Sequence, residues 1–336
     1  MSTAIVLVTY GEPTTPGFFA QWMYSLRILR QLTRKIARIP APLLPVIATA
    51  RALGRRALWS RHGFGSPLEP ATEQTVRALA RALEGREGGP YHVCLAYEFR
   101  RPLITDALAE LERRRDVDRV VIVPMYMGTG DFTCGLTQSA LDVALARRGW
   151  DSARVSMCRL TDPAPWLDRV AEVSASFVVR ACAARGLALP DPSWALCLAA
   201  HGSVQTPAPG VDNGVAAFGE LVWRIAARLG GDGGLFGRVR NGWLNHTRGG
   251  RWTEPSVARL LPRLREAGFR KLVYYSWGFT TSNAESALEG QLVLDAMDDP
   301  FDEVVYLPCL DDDPEFVALL ADRIEDHDAA VVAASP

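Results

Sequence analysis

The chain has 336 residues, of which 48% are hydrophobic and 22% charged, and its 37 basic and 38 acidic residues nearly cancel. This length is enough for two domains, each with its own core. The near-zero net charge argues against nucleic acid as a partner, because no overall positive field would attract phosphate.

Short apolar runs alternate with amphipathic stretches along both halves of the chain. In the first half, strands are predicted at 5–8, 92–96 and 120–124, and helices at 72–83, 104–113 and 136–147. In the second half, strands are predicted at 194–200, 239–244 and 272–275, and helices at 214–229, 256–266 and 283–297. Such alternation predicts an α/β fold with parallel sheets and crossover helices.

The two halves also correspond in detail. "AIVLVTYGEP" (from Ala4) matches "ALCLAAHGSV" (from Ala195), so that Tyr10 and His201 each end a strand and precede a glycine. We predict two similar doubly wound, Rossmann-like domains with four-stranded parallel sheets, over residues 1–160 and 161–308, with a terminal helix at 313–328 that packs back on the first domain. Ligands of such sheets bind beyond the carboxyl ends of the strands, which favours the cleft between the halves as the site.

The segment from Trp22 to Arg56 mixes apolar and basic residues around a break rich in proline. A helix lying on a membrane surface is one interpretation, but two solvated basic helices that flank residues 40–45 are favoured. The N-terminus lacks a basic leader, and no run of 18 apolar residues occurs. We therefore expect a cytoplasmic protein with at most peripheral membrane contact.

The cysteines show no paired spacing. They are Cys94, Cys134, Cys158, Cys182, Cys197 and Cys309. Because zinc sites and iron–sulfur clusters need clustered thiolates, we expect neither, and scattered thiols suit a reducing cytoplasm.

His201 is the first candidate for chemistry, since it follows a buried strand and precedes a glycine at which the backbone can turn sharply. A histidine at a strand end also commonly binds loop carbonyls. The matching position of Tyr10 favours a functional role, because both rings would face one cleft.

Glu285 and Glu289 are the second candidates. Ser282 or Asn283 can cap a helix on which these two carboxylates, four residues apart, share one face. Solvated surface carboxylates are the alternative interpretation. The helix starts at the carboxyl end of a strand, so Glu285 is expected to point into the same cleft as His201, a pairing that suits metal-assisted or proton-removing chemistry.

No familiar motif supplies a cofactor site. GxGxxG, Walker A, GxSxG and HExxH are absent from the sequence, and we expect no prosthetic group. The acidic run at 311–313 is interpreted as a helix cap rather than a metal site. The remaining histidines, which lack partners at ligand spacing, are interpreted as structural or exposed: His62, His92, His246 and His327.

Several stretches resemble the ferrochelatases, which insert ferrous iron into a porphyrin. "LCLAAHGSVQTP" is similar to the family's strand ending in S-A-H, and "WGFTTSNAESALEG" to its G-F-V-x-D-H-x-E-x-L stretch. "GFGSPLEPATEQ", "RWTEPSVARLL" and "YLPCLDDDPEFVALLADRI" resemble further family segments, so the resemblance spans nearly the whole chain. The opening "LVTYGEP" is similar to the variant found in ferrochelatases that take coproporphyrin.

This resemblance implies a chelatase-like fold and an enzyme of heme biosynthesis, with Fe2+ and a porphyrin as substrates. His201 would accept a proton or bind the metal, Glu285 would draw in the cation or take the second proton, and Tyr10 would reach the metal from the opposite face. The other substrate contacts are assigned to Arg27 and Arg30, which would meet the propionates, and to Trp277, Ser282, Asn283 and Glu289. A monomer or weak dimer is expected.

The chain departs from the family pattern at three places. Ser282-Asn283 stands where the family has Asp-His, "PGVDNG" where it has G-D-P-Y, and "PMYMGTGDFTCG" where it has an aromatic, hydroxyl-rich loop. Because Glu285 lacks the neighbouring charge and ring, we expect slow or absent insertion into common porphyrins, raised by Ser282→Asp with Asn283→His.

Three hypotheses follow. The first is a ferrochelatase of the coproporphyrin type. The second is a divergent homologue that uses His201 and Glu285 on a substrate that is not a porphyrin, such as a secondary-metabolite intermediate. The third is a porphyrin or metal carrier, which the retention of both His201 and Glu285 disfavours because a carrier needs no base.

Overall fold

The computed structural model describes residues 2–32, 39–114, 116–148, 154–230, 234–244 and 251–334. His246 lies outside these ranges. The first half contains strands β1 (Thr3–Thr9), β2 (Tyr91–Tyr97), β3 (Arg119–Pro124) and β4 (Val155–Met157), with helices α1 (Phe18–Leu32), α2 (Leu44–Arg61), α3 (Leu68–Leu83), α4 (Ile104–Arg113) and α5 (Cys134–Arg148).

The second half repeats the pattern. Its strands are β5 (Asp191–His201), β6 (Phe236–Leu244), β7 (Lys271–Tyr275) and β8 (Glu303–Leu307), and its helices are α6 (Ala164–Ala183), α7 (Val215–Arg228), α8 (Val257–Glu266), α9 (Gly290–Asp295) and α10 (Pro314–Ala334). The sequence prediction names three strands in each half and lacks β4 and β8, which are the edge strands that complete the two sheets. Strand β4 has only three residues, and β8 (EVVYL) is apolar in sequence but short and partly exposed.

Both sheets are four-stranded and parallel, as predicted. Their strand orders are β2-β1-β3-β4 and β6-β5-β7-β8. In each sheet the first strand is central, the second strand lies on one side of it, and the third strand lies on its other side. The connections therefore diverge at the carboxyl ends of β1 and β3 and of β5 and β7, which is where ligands of such sheets bind. Tyr10 directly follows β1, and His201 is the last residue of β5.

The two sheets share a core. The largest cluster of buried apolar side chains takes residues from both sheets, including Ile5 and Leu7 of β1 and Leu196 and Leu198 of β5. Smaller clusters cover the other face of each sheet, under α4 and α5 in the first half and under α8 and α9 in the second. The predicted domain boundary at residue 160 therefore stays a prediction. It divides the chain into two halves in sequence, but the buried apolar side chains of the two halves form one continuous cluster.

Helix α10 returns to the first half and packs on α3 and α6. Near its end, Asp328 is 1% exposed and accepts two hydrogen bonds from the Arg119 guanidinium, Nε–Oδ1 at 2.9 Å and a terminal nitrogen to Oδ2 at 2.8 Å. Arg86 at the end of α3 also pairs with Asp322 and Glu325 of α10. These ion pairs hold the terminal helix against the amino-terminal edge of the first sheet.

Replacing Asp328 by alanine is expected to destabilise the protein by about 3 to 5 kcal/mol, because it leaves the largely buried charge of Arg119 without its carboxylate. The measurement is the urea midpoint of unfolding. Asp302→Ala is the matched control, since it breaks a similar two-point contact, with Arg270, at an exposed site and should change the midpoint little. An equal decrease of the urea midpoint in both variants would show that burial of the Arg119–Asp328 pair does not increase its contribution to stability.

Candidate active site

His201 is placed by the end of a fully buried strand. The six residues before it, from Ala195 to Ala200, are 0% exposed, whereas the His201 side chain is 46% exposed. The backbone after β7 passes close beside this point: a Cβ on Gly278 would lie 2.4 Å from that of Ala200, so only glycine fits there. The imidazole is therefore held at a rigid strand end and is itself partly exposed.

Glu285 is placed by a capped π-helical turn, Glu285–Glu289, which leads into α9. The Asn283 side-chain oxygen accepts hydrogen bonds from the amides of Glu285 and Ser286, at 2.9 and 3.1 Å, which confirms the predicted cap. The Tyr306 hydroxyl donates to the Ser286 carbonyl. Gly290 is required at the end of the turn, because a Cβ would lie 2.3 Å from the Tyr306 hydroxyl.

The structure brings His201 and Glu285 together. His201 Nδ1 lies 2.9 and 2.8 Å from the two Glu285 carboxylate oxygens, and the Glu285 side chain is 15% exposed. A carboxylate can only accept here, so Nδ1 carries a proton, and in the neutral imidazole Nε2 keeps its lone pair. Glu285 thus orients the imidazole and leaves Nε2 free to accept a proton or bind a metal ion.

The electrostatics favour a basic imidazole. Burial lowers the pKa of His201, but the charge of Glu285, its hydrogen bond and the charge of Glu289 together outweigh burial and raise that pKa above its ordinary value. For Glu289, burial and then the charge of Glu285 raise the pKa to about 7. Two titratable groups whose pKa values are both raised therefore flank Glu285.

Tyr10 lies on the opposite half, as the correspondence of the two halves predicted. Its hydroxyl donates to the Phe132 carbonyl at 2.8 Å, and its ring lies against Phe99 and Tyr126. Burial raises the pKa of Tyr10 well above its ordinary value, and the charges of Glu285 and Glu98 raise it further. Without a metal ion the side chain is a neutral phenol whose proton is donated to Phe132. Its assignment as a metal ligand stays a prediction.

Three residues assigned to substrate binding have other partners. Trp277 is 0% exposed and its indole donates to Asn241 at 2.9 Å, so it lies behind the cleft wall. The Ser282 hydroxyl donates to Asp311, and Asn283 is buried and used as the cap. The assignment of these three side chains to substrate contact stays a prediction, and each of them already has a partner within the protein.

The assigned arginines lie on α1. Arg27 donates to the Phe99 carbonyl at 3.0 Å, beside the stacked pair of Tyr10 and Phe99, and Arg30 is exposed in the last helical turn. Both stay candidates for binding substrate carboxylates.

Sequence analysis missed two charged residues of the site, Glu12 and Arg55. The Glu12 carboxylate accepts hydrogen bonds from Ser66 at 2.6 Å and from the Ala284 amide at 2.9 Å, and it lies 3.7 Å from Arg55. Glu12 follows Tyr10 at the same strand end, so the rule that selected Tyr10 could also have selected it.

Arg55 also shows that the basic helices are not simply solvated. It is 21% exposed, and its guanidinium centre lies 5.1 Å from the Tyr24 ring and 5.0 Å from that of Trp59. The nearby Arg51 is partly buried, and burial together with the charge of Arg55 lowers its pKa. Helix α2 therefore turns two of its cations inward, toward Glu12 and Glu289.

Two of the segments that depart from the family pattern contact each other across the halves. Asp131 of "PMYMGTGDFTCG" donates its amide to the Asp212 carbonyl of "PGVDNG", and the Asp212 amide donates to the Asp131 carboxylate, each at 2.8 Å. A Cβ on Gly130 would lie 2.9 Å from Gly214. Their differences from the family thus concern one interface between the halves.

Few side chains of the site are arranged to hold a metal ion. Among the described residues, no group of three or more His, Cys, Asp and Glu side chains is arranged to hold a metal ion. His201 and Glu285 offer one ring nitrogen and one carboxylate to a metal ion that arrives as a substrate. The run at 311–313 is a cap in part: Asp313 accepts from the amides of Glu315 and Phe316, whereas Asp311 binds Ser282. Within the described ranges, no helix is long and apolar enough to cross a membrane.

Comparisons with known proteins agree with this geometry. The ferrochelatase family model matches residues 2–328. A ferrochelatase of Geotalea daltonii is 26% identical over 332 residues, which cover 96% of this chain and 97% of that protein. A ferrochelatase of Desulfotalea psychrophila is 24% identical over 292 residues, 85% of each chain.

Solved structures of chelatases share the fold. SirB from Bacillus subtilis with Fe3+ superposes with a TM-score of 0.56 at 10% identity, over 99% of this chain and 98% of its own. CbiX, the terminal enzyme for biosynthesis of siroheme in denitrifying bacteria, superposes with a TM-score of 0.50 at 17% identity, over 97% of this chain and 99% of its own.

The paired sheets and the match along the chain define a metal chelatase. The chain belongs to the ferrochelatase family. The family implies a divalent metal ion and a small tetrapyrrole as substrates, and metal insertion as the reaction.

The high pKa of Glu289 predicts a pH-dependent effect of Glu289→Gln. The neutral form is favoured in the folded protein, so the contribution of Glu289 to stability is present below its ordinary pKa of 4.5 and is lost as pH rises through about 7. Glutamine mimics the neutral acid. The variant should therefore melt at a higher temperature than the original protein at pH 8, with little difference at pH 5.

The control for this prediction is Glu172→Gln on the exposed face of α6, which should not shift the melting temperature at either pH. A Glu289→Gln effect of the same size and sign at both pH values would contradict the assigned pKa.

Proposed function

We propose that this protein inserts ferrous iron into a porphyrin, coproporphyrin or protoporphyrin, in heme biosynthesis. The observation that carries the proposal is the His201–Glu285 contact at the carboxyl end of β5, in which Nδ1 is held by the carboxylate and Nε2 is left for the substrate. The family match and the fold support it. The six described cysteines are unpaired thiols, which suits a reducing cytoplasm.

Insertion requires that two N–H protons leave the macrocycle and that the metal ion lose its waters stepwise. His201 Nε2 accepts the first proton, because its orientation is fixed and its pKa is raised. The Glu285 carboxylate stabilises the imidazolium that forms, as a carboxylate beside a general base does. Glu289, with a pKa of about 7, takes up the next proton and returns it to solvent.

The opposite half binds the macrocycle. Phe99 is 4% exposed and stacks behind Tyr10, with 5.8 Å between ring centroids, so that Tyr10 is the ring available to the macrocycle next to the Arg27 guanidinium. Arg27 and Arg30 pair with propionate groups, for which a guanidinium is suited by its fork of donors. Tyr10, as a neutral phenol, contacts the macrocycle. The protein works as a monomer or weak dimer, with no more than peripheral membrane contact.

A second candidate function is acid–base or metal-assisted chemistry on a substrate other than a porphyrin. The contact between the segments that contain Asp131 and Asp212 favours it, because both segments depart from the family pattern and together form one edge between the halves. A reshaped edge would admit a differently shaped ligand.

The test is anaerobic incubation of the purified protein with Fe2+ and either coproporphyrin or protoporphyrin. Metal insertion is measured as a decrease in porphyrin fluorescence. Protein-catalysed loss with either porphyrin, absent with His201→Ala, is the expected result. No loss with both porphyrins, from protein that is folded by circular dichroism, would contradict the proposal and favour the second candidate.

A further inference from the structure

Asp311 lies in the segment 308–313, which connects β8 to α10, and its side chain reaches back to the active-site loop. Its carboxylate accepts two hydrogen bonds from Ser282, the amide at 2.6 Å and the hydroxyl at 2.7 Å. Its own amide donates to the Thr280 carbonyl at 2.9 Å, and its carbonyl accepts from the Thr75 hydroxyl at 3.0 Å. Asp311 thus ties residues 280 and 282 to helix α3.

The backbone at Asp311 is unusual. With φ at +49°, it is the one residue other than glycine in the described ranges with a positive φ. Among residues with a side chain, aspartate and asparagine adopt this left-handed conformation most readily. A residue held in such a conformation is over-determined by its surroundings, here by the four hydrogen bonds to Thr75, Thr280 and Ser282.

We propose that Asp311 is a positioning residue for Glu285, supplying from the α10 side the carboxylate that the sequence lacks at position 282. This inference rests on the proposed function. The connection runs along one short path: Asp311 fixes Ser282, the adjoining Asn283 caps the amide of Glu285, and Glu285 holds the His201 ring. The family sequence has an aspartate at position 282. In this chain the Ser282 hydroxyl and the Asp311 carboxylate, in contact with each other, stand in for that single side chain.

The contact changes the expected result of restoring the family residues. The Ser282 hydroxyl lies 2.7 Å from Asp311 Oδ2, so Ser282→Asp would put a second carboxylate against the first. Two carboxylates at such a distance do not both ionise without cost. Asn283→His would remove the side-chain oxygen that accepts from two amides. We therefore correct the expectation that these two changes alone raise activity.

The experiment is a double-mutant cycle of Ser282→Asp and Asp311→Asn, with iron insertion as the first readout. Asparagine keeps the left-handed backbone and can donate its amide to a new carboxylate at 282. We expect Ser282→Asp to lower kcat about 10- to 100-fold, as loss of a residue that orients a ligand or base does, with KM for the porphyrin changed less than about two-fold. The double variant should recover to within a few-fold of the original protein.

Two further variants separate charge from size and position. Ser282→Asn has the size of aspartate without the charge and should retain far more activity than Ser282→Asp. Asp312→Asn, at the exposed neighbouring position, should not alter the rate. A loss from Ser282→Asn equal to that from Ser282→Asp would overturn the assignment of the effect to paired carboxylates.

The second readout is amide hydrogen exchange of the peptide covering residues 283–289, which does not need turnover. Ser282→Asp should speed this exchange, and Asp311→Asn should restore protection to the double variant. Full activity and protection in Ser282→Asp alone, or losses that multiply in the double variant, would overturn the proposal. If the original protein inserts no iron, the proposed function has failed, and the exchange cycle still decides whether Asp311 positions the turn.

Discussion

His201→Ala is expected to reduce the rate of iron insertion by about 100- to 10,000-fold, the usual range for loss of a general acid or base. Among the histidines in the described ranges, His201 is the one that ends a buried strand beside Glu285, which holds its Nδ1. Alanine removes the proton acceptor but leaves the buried strand before it unchanged. The measurement is the initial rate of porphyrin fluorescence loss under saturating Fe2+.

Two histidines serve as controls for this loss. His62 is exposed at the end of α2, and His92 lies beside Arg114 and Asp116 on the edge strand β2 of the first sheet. His62→Ala and His92→Ala should therefore insert iron at close to the original rate. Similar losses in all three variants would point to a folding effect and not to chemistry at His201.

Glu285→Gln is expected to lower the insertion rate about 10- to 100-fold, because glutamine can accept the Nδ1 hydrogen bond but cannot supply the charge. That charge raises the pKa of His201. The base must be neutral to accept a proton, so the rate of the original protein should fall as pH drops through the raised pKa of His201. In Glu285→Gln the pKa of His201 falls, and this acid limb should move to lower pH.

The pH profile distinguishes this role from simple loss of structure. Glu266→Gln, an exposed residue at the end of α8, should leave both the rate and the profile unchanged. A Glu285→Gln variant with a reduced rate but an unmoved acid limb would show that Glu285 does not tune the basicity of His201.

The fold could be predicted from the sequence because its signals are local. A parallel strand buried on both faces is a continuous apolar run, and β1, β3 and β5 are such runs, so the position of Tyr10 and His201 at two strand ends followed from reading order alone. The same locality explains the cap: Asn283 binds amides two and three residues away.

The rest of the site depends on partners that are distant in the chain. Asp311 and Ser282 are 29 residues apart, and Glu12 and the amide of Ala284 are 272 apart. A basic run such as that containing Arg51 and Arg55 has the same local pattern whether its cations are solvated or paired. Trp59 lies four residues after Arg55 on α2, so that contact is local. Tyr24 and Glu12 come from outside the helix, and the pattern of α2 alone does not indicate their contacts with Arg55.

Chemical rescue of His201→Ala by free imidazole tests the central claim most directly. Because the His201 side chain is 46% exposed in the cleft, imidazole can reach the space that alanine leaves beside Glu285. The account predicts a saturable, several-fold recovery of iron insertion in His201→Ala, and none when Glu285→Gln is added to it. Failure of imidazole to restore insertion, in a variant that remains folded and binds the porphyrin, would contradict the claim that the His201 ring accepts the macrocycle's proton.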